Sequence, residues 1–137
     1  MYRILVPVDA DTDRARNQAA FVADLPIPLA DVEVIITHAL PPEELNEPEG
    51  PDSIEAVETV RLASEYLEER DYTVELTEGR LPPADAILDQ ARDHDIDQIV
   101  MGSRKRSPTG KVIFGSVSQQ VLLESPVPVT IVGADSP

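Results

Sequence analysis

Short β-branched runs alternate with amphipathic stretches along almost the whole of this chain, and no other feature restricts its fold so tightly. The first run is YRILVPV at residues 2–8, closed by Asp9. Residues 12–25 then set Ala15, Ala19, Phe21, Val22 and Leu25 at near-helical spacing, with Thr12 or Asp13 placed to cap the helix. A second run, DVEVIITHAL at 31–40, has a continuous Val/Ile centre, which predicts a strand buried on both faces. Residues 41–53 are rich in Pro, Glu and Gly and read as an exposed loop. An amphipathic helix follows over about 53–70, with Ile54, Val57, Val60, Leu62, Tyr66 and Leu67 as its apolar positions, although Val60 and Ala63 fit the stripe better than Leu62. Residues 72–79 read as a strand, and paired prolines open a helix over 82–95 that carries Ala84, Ile87, Leu88 and Ala91. The chain ends with a strand at 97–103, a helix at 116–125 stopped by Pro126, and a fifth strand at 127–133.

Strands and helices alternating at these lengths require a parallel sheet, because each helix is the crossover that returns the chain to the start of the next strand. Right-handed crossovers then place helices on both faces. The expected fold class is therefore α/β, a three-layer α/β/α sandwich around a five-stranded parallel sheet, in a single domain spanning residues 1–137.

Charge and composition exclude several functional classes. The formal net charge is −15, from 26 acidic and 11 basic residues, and a field of that sign repels nucleic acid and anionic membranes. The acidity is dispersed rather than gathered in a tail, and Lys105 and Lys111 are the chain's two lysines. That combination fits a halophilic protein, whose self-repulsion is screened by concentrated counterions. With no cysteine, disulfides, thiol catalysis and the commonest zinc frameworks are excluded. No apolar run approaches membrane-spanning length and the start reads directly into a strand, so the expected location is the cytoplasm.

In open parallel sheets, ligands bind beyond the carboxyl ends of the strands where strand order reverses. That rule selects Asp9, the end of the second strand near His38, and Met101-Gly102-Ser103. The helix starting at about Ser116 adds unpaired N–H groups and a positive dipole end, with Gly115 before it and the Ser116 and Ser118 hydroxyls in its first turn. A P-loop does not fit, since G-x-x-x-x-G-K-[ST] needs a glycine at Lys105 and a hydroxyl at Val112. No Gly-rich dinucleotide turn follows the first strand either.

The segment GSRKRSPTGKVIFGS after the fourth strand instead resembles the G-x2-G-x9-G-[ST] pattern of universal stress proteins, with Gly102, Gly115 and Ser116 in place. ILVPVD, ITHAL, IVMGSRKRS and GSVSQQVLLESPVPVTIV extend the resemblance over the whole chain. It implies a flavodoxin-like, adenine nucleotide alpha hydrolase-like sandwich with strand order 3-2-1-4-5. ATP or another adenine nucleotide would lie across strands one and four. By matching positions, Pro7 and Asp9 would sit by the adenine, with Asp9 accepting a hydrogen bond and main chain near Ala39 contacting the base. Met101 and Gly102 would border base and ribose, and Gly115, Ser116, Val117 and Ser118 would bind phosphates.

Two departures from the pattern matter. Lys105 stands where the middle glycine belongs, which costs about 1 kcal/mol or more if that position needs positive φ. Alternatively its ammonium, beside Arg104 and Arg106, neutralises phosphate charge. Asp11 and Asp13 add negative charge near the mouth and would repel a triphosphate unless a divalent cation such as Mg2+ bridged them.

Plainer roles compete with each assignment. Asp9 could simply cap the first helix, and Arg104–Arg106 could be a surface patch facing acidic helices. His38 and His94 lack partners at metal-ligand spacing, and Ser103 and Ser107 lack a nearby histidine base. No catalytic residues are assigned, and any ATP hydrolysis is expected to be slow. In the family order the fifth strand is an edge, so Val127, Val129 and Ile131 are expected to form a homodimer seam. The sequence thus supports an adenine-nucleotide-binding stress-response switch or partner-binding module. The alternative is a nucleotide-independent homodimeric interaction protein with an empty pocket.

Overall fold

The opening apolar run forms β1 over Tyr2–Val8, and the structure, a computed structural model, describes residues 1–38, 58–78, 83–103 and 115–133. The chain continues through α1 (Thr12–Ala23), a 3-10 turn (Leu29–Asp31) and β2 (Val32–His38). Next come α2 (Glu58–Glu68), β3 (Val74–Glu78) and α3 (Pro83–Asp93). The remaining elements are β4 (Gln98–Gly102), α4 (Ser116–Glu124) and β5 (Val129–Val132). All strand pairs are parallel, and the sheet order is β3-β2-β1-β4-β5, as the resemblance implied.

Side chains of a strand alternate between faces, so a strand buried on both sides must be apolar throughout. On one face Ile4, Val6, Val8, Val34, Ile36 and Val100 pack with Ala15, Ala19 and Val22 of α1 and Val60, Ala63 and Leu67 of α2. On the other, Leu5, Ile35, Ile99 and Met101 pack with Ala84, Ile87, Leu88 and Ala91 of α3 and Val121 of α4. Each fully buried Leu, Ile or Val contributes roughly 1.5–3 kcal/mol. The helices therefore fall into two pairs, and the switch in strand order lies between β1 and β4.

Local chemistry sets the boundaries. The cap of α1 is Asp11 rather than Thr12 or Asp13: its Oδ1 accepts from the Arg14 backbone N at 2.9 Å, satisfying a first-turn donor. Phe21 and Leu25 lie at the edge of the core, while Gln18 takes an interior position. Both α2 and α3 end in a left-handed residue, Asp71 at φ 67° and Asp95 at φ 51°. The next N–H, of Tyr72 or Ile96, folds back to the carbonyl of Leu67 or Ala91 at 3.1 Å in each case. Strand β5 starts two residues later than expected, since Pro126 and Pro128 have no N–H to offer its ladder. The Pro/Glu-rich stretch at 41–53, Ile54, Val57 and the basic segment 104–114 lie outside the described residues.

Candidate functional site

The two ladders of β1 differ in length. β1 pairs with β2 through seven registered pairs, Tyr2–Val32 to Val8–His38, but with β4 through Ile4–Gln98 and Leu5–Ile99. Pro7, which lacks an N–H, lies past the end of the shorter ladder. There the Gln18 amide of α1 donates to the Pro7 carbonyl at 2.7 Å and to the Val100 carbonyl at 3.0 Å. Gln18 is 1% exposed, so it serves as a buried bridge between strands that no longer bond directly. On the opposite face Gln90 of α3 bridges β2 and β3, accepting from the Thr77 hydroxyl and donating to Thr37 Oγ1 at 2.9 Å.

Asp9 lies directly beyond β1. Its Oδ1 accepts from the Asp11 backbone N at 3.0 Å. Its Oδ2 accepts from Arg14 Nε at 2.9 Å and lies 2.8 Å from Arg14 Nη2. Asp11 Oδ2 is 3.8 Å from the same nitrogen, and Asp13 faces Arg16 at 3.9 Å. The stem of Arg14 crosses to β4: a Cβ built on Gly102 would lie 2.7 Å from Arg14 Cγ, 2.9 Å from Cδ and 3.3 Å from Gln18 Oε1. Glycine at 102 is thus required by the close approach of an arginine of the same chain. Arg14 spans the gap between the carboxyl ends of β1 and β4, with Asp9 at one side and Gly102 at the other.

His38 ends β2 opposite Val8 and is 8% exposed. Burial pushes its imidazole below the ordinary value of 6.5, with the Asp9 carboxylate partly opposing. Its Nε2 and the Oγ1 of Thr59, in the first turn of α2, are buried without a hydrogen bond to any described residue. Helix α4 opens at Gly115, whose φ of −78° any residue adopts, and Gln119 N bonds back to the Gly115 carbonyl at 3.0 Å. Ser116 is exposed, Ser118 is buried, and the Val117 side chain packs against the α3/α4 core.

The carboxyl end of the sheet therefore gathers Pro7 of β1 and Asp9 just beyond it with Met101 and Gly102 of β4. Pro7 and Met101 are buried. Ala39, Arg104 and Lys105 fall outside the described residues. Neither Arg14 nor Gln18 was anticipated as a site residue. Gln18 nonetheless shares the spacing of the buried stripe Ala15, Ala19 and Val22, and a glutamine inside such a stripe is the signal that marks it.

Among the described residues, no group of three or more His, Cys, Asp or Glu side chains is placed to hold a metal ion. None of their helices is long and apolar enough to cross a membrane. A family model, the universal stress protein family, matches residues 1–133. The chain belongs to the universal stress protein family. A Thermus aquaticus universal stress protein is 32% identical over 140 residues, covering 96% of this chain and 99% of its own. The solved universal stress protein from Archaeoglobus fulgidus has a TM-score of 0.77 at 37% identity, covering 96% of this chain and 98% of the other. A second Archaeoglobus fulgidus structure, in complex with dAMP, has a TM-score of 0.72 at 30% identity over the same shares. Family membership accounts for the sheet order.

Proposed function

We propose that this universal stress protein binds an adenine nucleotide across the carboxyl ends of β1 and β4 and acts as a ligand-dependent switch or partner-binding module. The observation that carries the reading is the opening of the β1–β4 ladder at the switch in strand order, with Asp9 and Gly102 on its two sides. The Archaeoglobus fulgidus relative solved with dAMP supports an adenine nucleotide as the ligand class. In this reading Asp9 and main chain near Ala39 take the base, and Met101 and Gly102 border base and ribose. Gly115, Ser116, Val117 and Ser118 hold phosphate through N–H and hydroxyl donors, with Arg104 and Lys105 adding positive charge. The role is binding rather than turnover, with ATP or a shorter nucleotide as ligand and Mg2+ as a companion to a triphosphate.

The whole chain acts as one domain, and a homodimer is part of the same reading. Strand β5 is the outer strand of the sheet, next to β4, and its residues are half-buried. Val127, Val129 and Ile131 pack in part against the α3/α4 core, so the seam would use the backbone edge of β5 along with their exposed remainder. Sedimentation velocity in molar KCl is expected to give twice the chain mass of 15.0 kDa.

Calorimetry with ATP, ADP and AMP in multimolar KCl, with and without Mg2+, tests nucleotide binding. Binding is expected, and Gly115→Val is expected to abolish it by blocking close approach to the α4 N-terminus. The second reading, an interaction dimer with an empty pocket, is favoured by Arg14, which already holds Asp9 and fills the space beside Gly102. Absence of heat for every nucleotide would select that reading.

A further inference from the structure

Asp9 follows β1, Asp11 caps α1 and Asp13 lies in its first turn, and among the described residues the cation that answers Asp9 and Asp11 is Arg14 of α1. Arg14 lies in the first turn of α1, where the helix dipole disfavours a positive charge. A residue that breaks a local rule in this way needs a compensating interaction, and functional sites are where such breaks concentrate. Asp9 and Asp11 provide part of the compensation, but they engage one side of the guanidinium. Nε and Nη2 face the carboxylates, whereas Nη1 makes no hydrogen bond with any described residue. The Nη1 amino group at this edge carries two N–H donors, and the side chain as a whole is 22% exposed.

The position of that edge is constrained from both ends. The stem is pressed against Gly102, and the head is held by the Asp9 carboxylate. A guanidinium oriented in advance loses little freedom on gaining a second partner. Its planar fork matches the oxygens of a phosphate, which no neutral part of a nucleoside reproduces.

We propose that Arg14 is a specificity-determining residue of this site: one guanidinium edge holds Asp9 while the other takes a phosphate oxygen, so that the site selects nucleotides over nucleosides. The proposal rests on the adenine-nucleotide reading above and adds to it the residue that reads the phosphate from the α1 side. It also gives Asp9 a second task, as the anchor of that arginine. Gly102 becomes the residue that lets the arginine reach across to β4.

Calorimetric titration with adenosine and with AMP, at a KCl concentration where the protein is folded, tests it in three proteins. The wild type is expected to bind AMP about tenfold or more tightly than adenosine. Arg14→Met keeps an apolar stem beside Gly102 but removes the guanidinium, and the ratio is expected to fall to about threefold or less. Arg14→Lys keeps charge without the fork and is expected to lie between them. If Arg14 only positioned Asp9, both ligands would weaken together and the ratio would stay at the wild-type value; that result overturns the proposal. Equal binding of both ligands by the wild type also overturns it while leaving the nucleotide reading intact. Binding of neither ligand by the wild type removes the nucleotide reading itself, and Arg14's role with it. Should Arg14→Met fail to fold, Arg14→Lys decides: a measurably lowered ratio supports the role, and an unchanged ratio overturns it.

Discussion

His38 is a buried imidazole at the end of β2 whose Nε2 has no hydrogen-bond partner among the described residues. Desolvation disfavours its charged form, so its folded pKa lies below the ordinary 6.5, with Asp9 opposing the shift. Protons therefore bind the unfolded chain first as pH falls. Well above 6.5 the group has no effect on stability. From about 6.5 down toward the lowered folded value it is expected to destabilise the protein progressively, and below that value no further loss accrues. Carboxylates also titrate in this acidic chain, so the informative quantity is a difference. The wild type should lose denaturant stability between pH 7.5 and 5 more steeply than His38→Gln, as urea midpoints measure. Parallel pH profiles for the two proteins would show that His38 titrates as it does in water.

At the scale of elements, two contacts from α1 hold the sheet together where its ladder fails. Gln18→Leu would leave the buried Pro7 and Val100 carbonyls without a donor, at a cost of about 1–3 kcal/mol in unfolding free energy. Gln120→Ala, at an exposed position of α4, is expected to change stability by about 0.5 kcal/mol or less and serves as the control. The second contact is the stem of Arg14 on Gly102. In Gly102→Ala the new methyl would meet Cγ and Cδ of Arg14, forcing the side chain off Asp9, and a loss of about 1–3 kcal/mol is expected. Combining it with Arg14→Ala should recover part of that loss, a coupling readable from a double-mutant cycle of thermal melts. Strictly additive changes would show that the two residues do not press on each other. Sequence reasoning placed Asp9, Met101 and Gly102 at strand ends because strand ends are written locally, and the switch-point rule made them candidates. It passed over Gln18 and Arg14 because their partners are distant: the Val100 carbonyl is 82 positions from Gln18, and periodicity carries no information about it.

For the whole molecule, a net charge of −15 on 137 residues makes self-repulsion a stability term. Salt screens it over a Debye length of about 10 Å at 0.1 M and about 3 Å at 1 M. The thermal midpoint is therefore expected to rise by several degrees as KCl is raised from about 0.1 M to 2 M, with most of the rise below 1 M. A midpoint independent of KCl in differential scanning calorimetry would mean that the dispersed acidity carries no such penalty. The ion pairs at Arg16–Asp13 and Arg92–Asp89 are exposed and change little in this balance. The Arg14–Asp9 pair is more enclosed and should persist at salt concentrations that screen the others.

The sequence by itself determined the α/β class, the order of the elements, the two apolar faces of the sheet and the positions at which the first, second and fourth strands end. These follow from periodicity, proline and glycine chemistry and the handedness of crossovers, all of which are written over short stretches of chain. Tertiary structure decided what occupies the gap between β1 and β4. Whether three aspartates present bare charge, or are capped and paired, depends on which side chain crosses from α1 to β4. That was settled by the absence of a Cβ at Gly102, which leaves room for the Arg14 stem, and by the end of the β1–β4 ladder beyond Leu5 and Ile99. The residue identities were legible from the start; the contact that gives them meaning exists only once the helix has packed on the sheet.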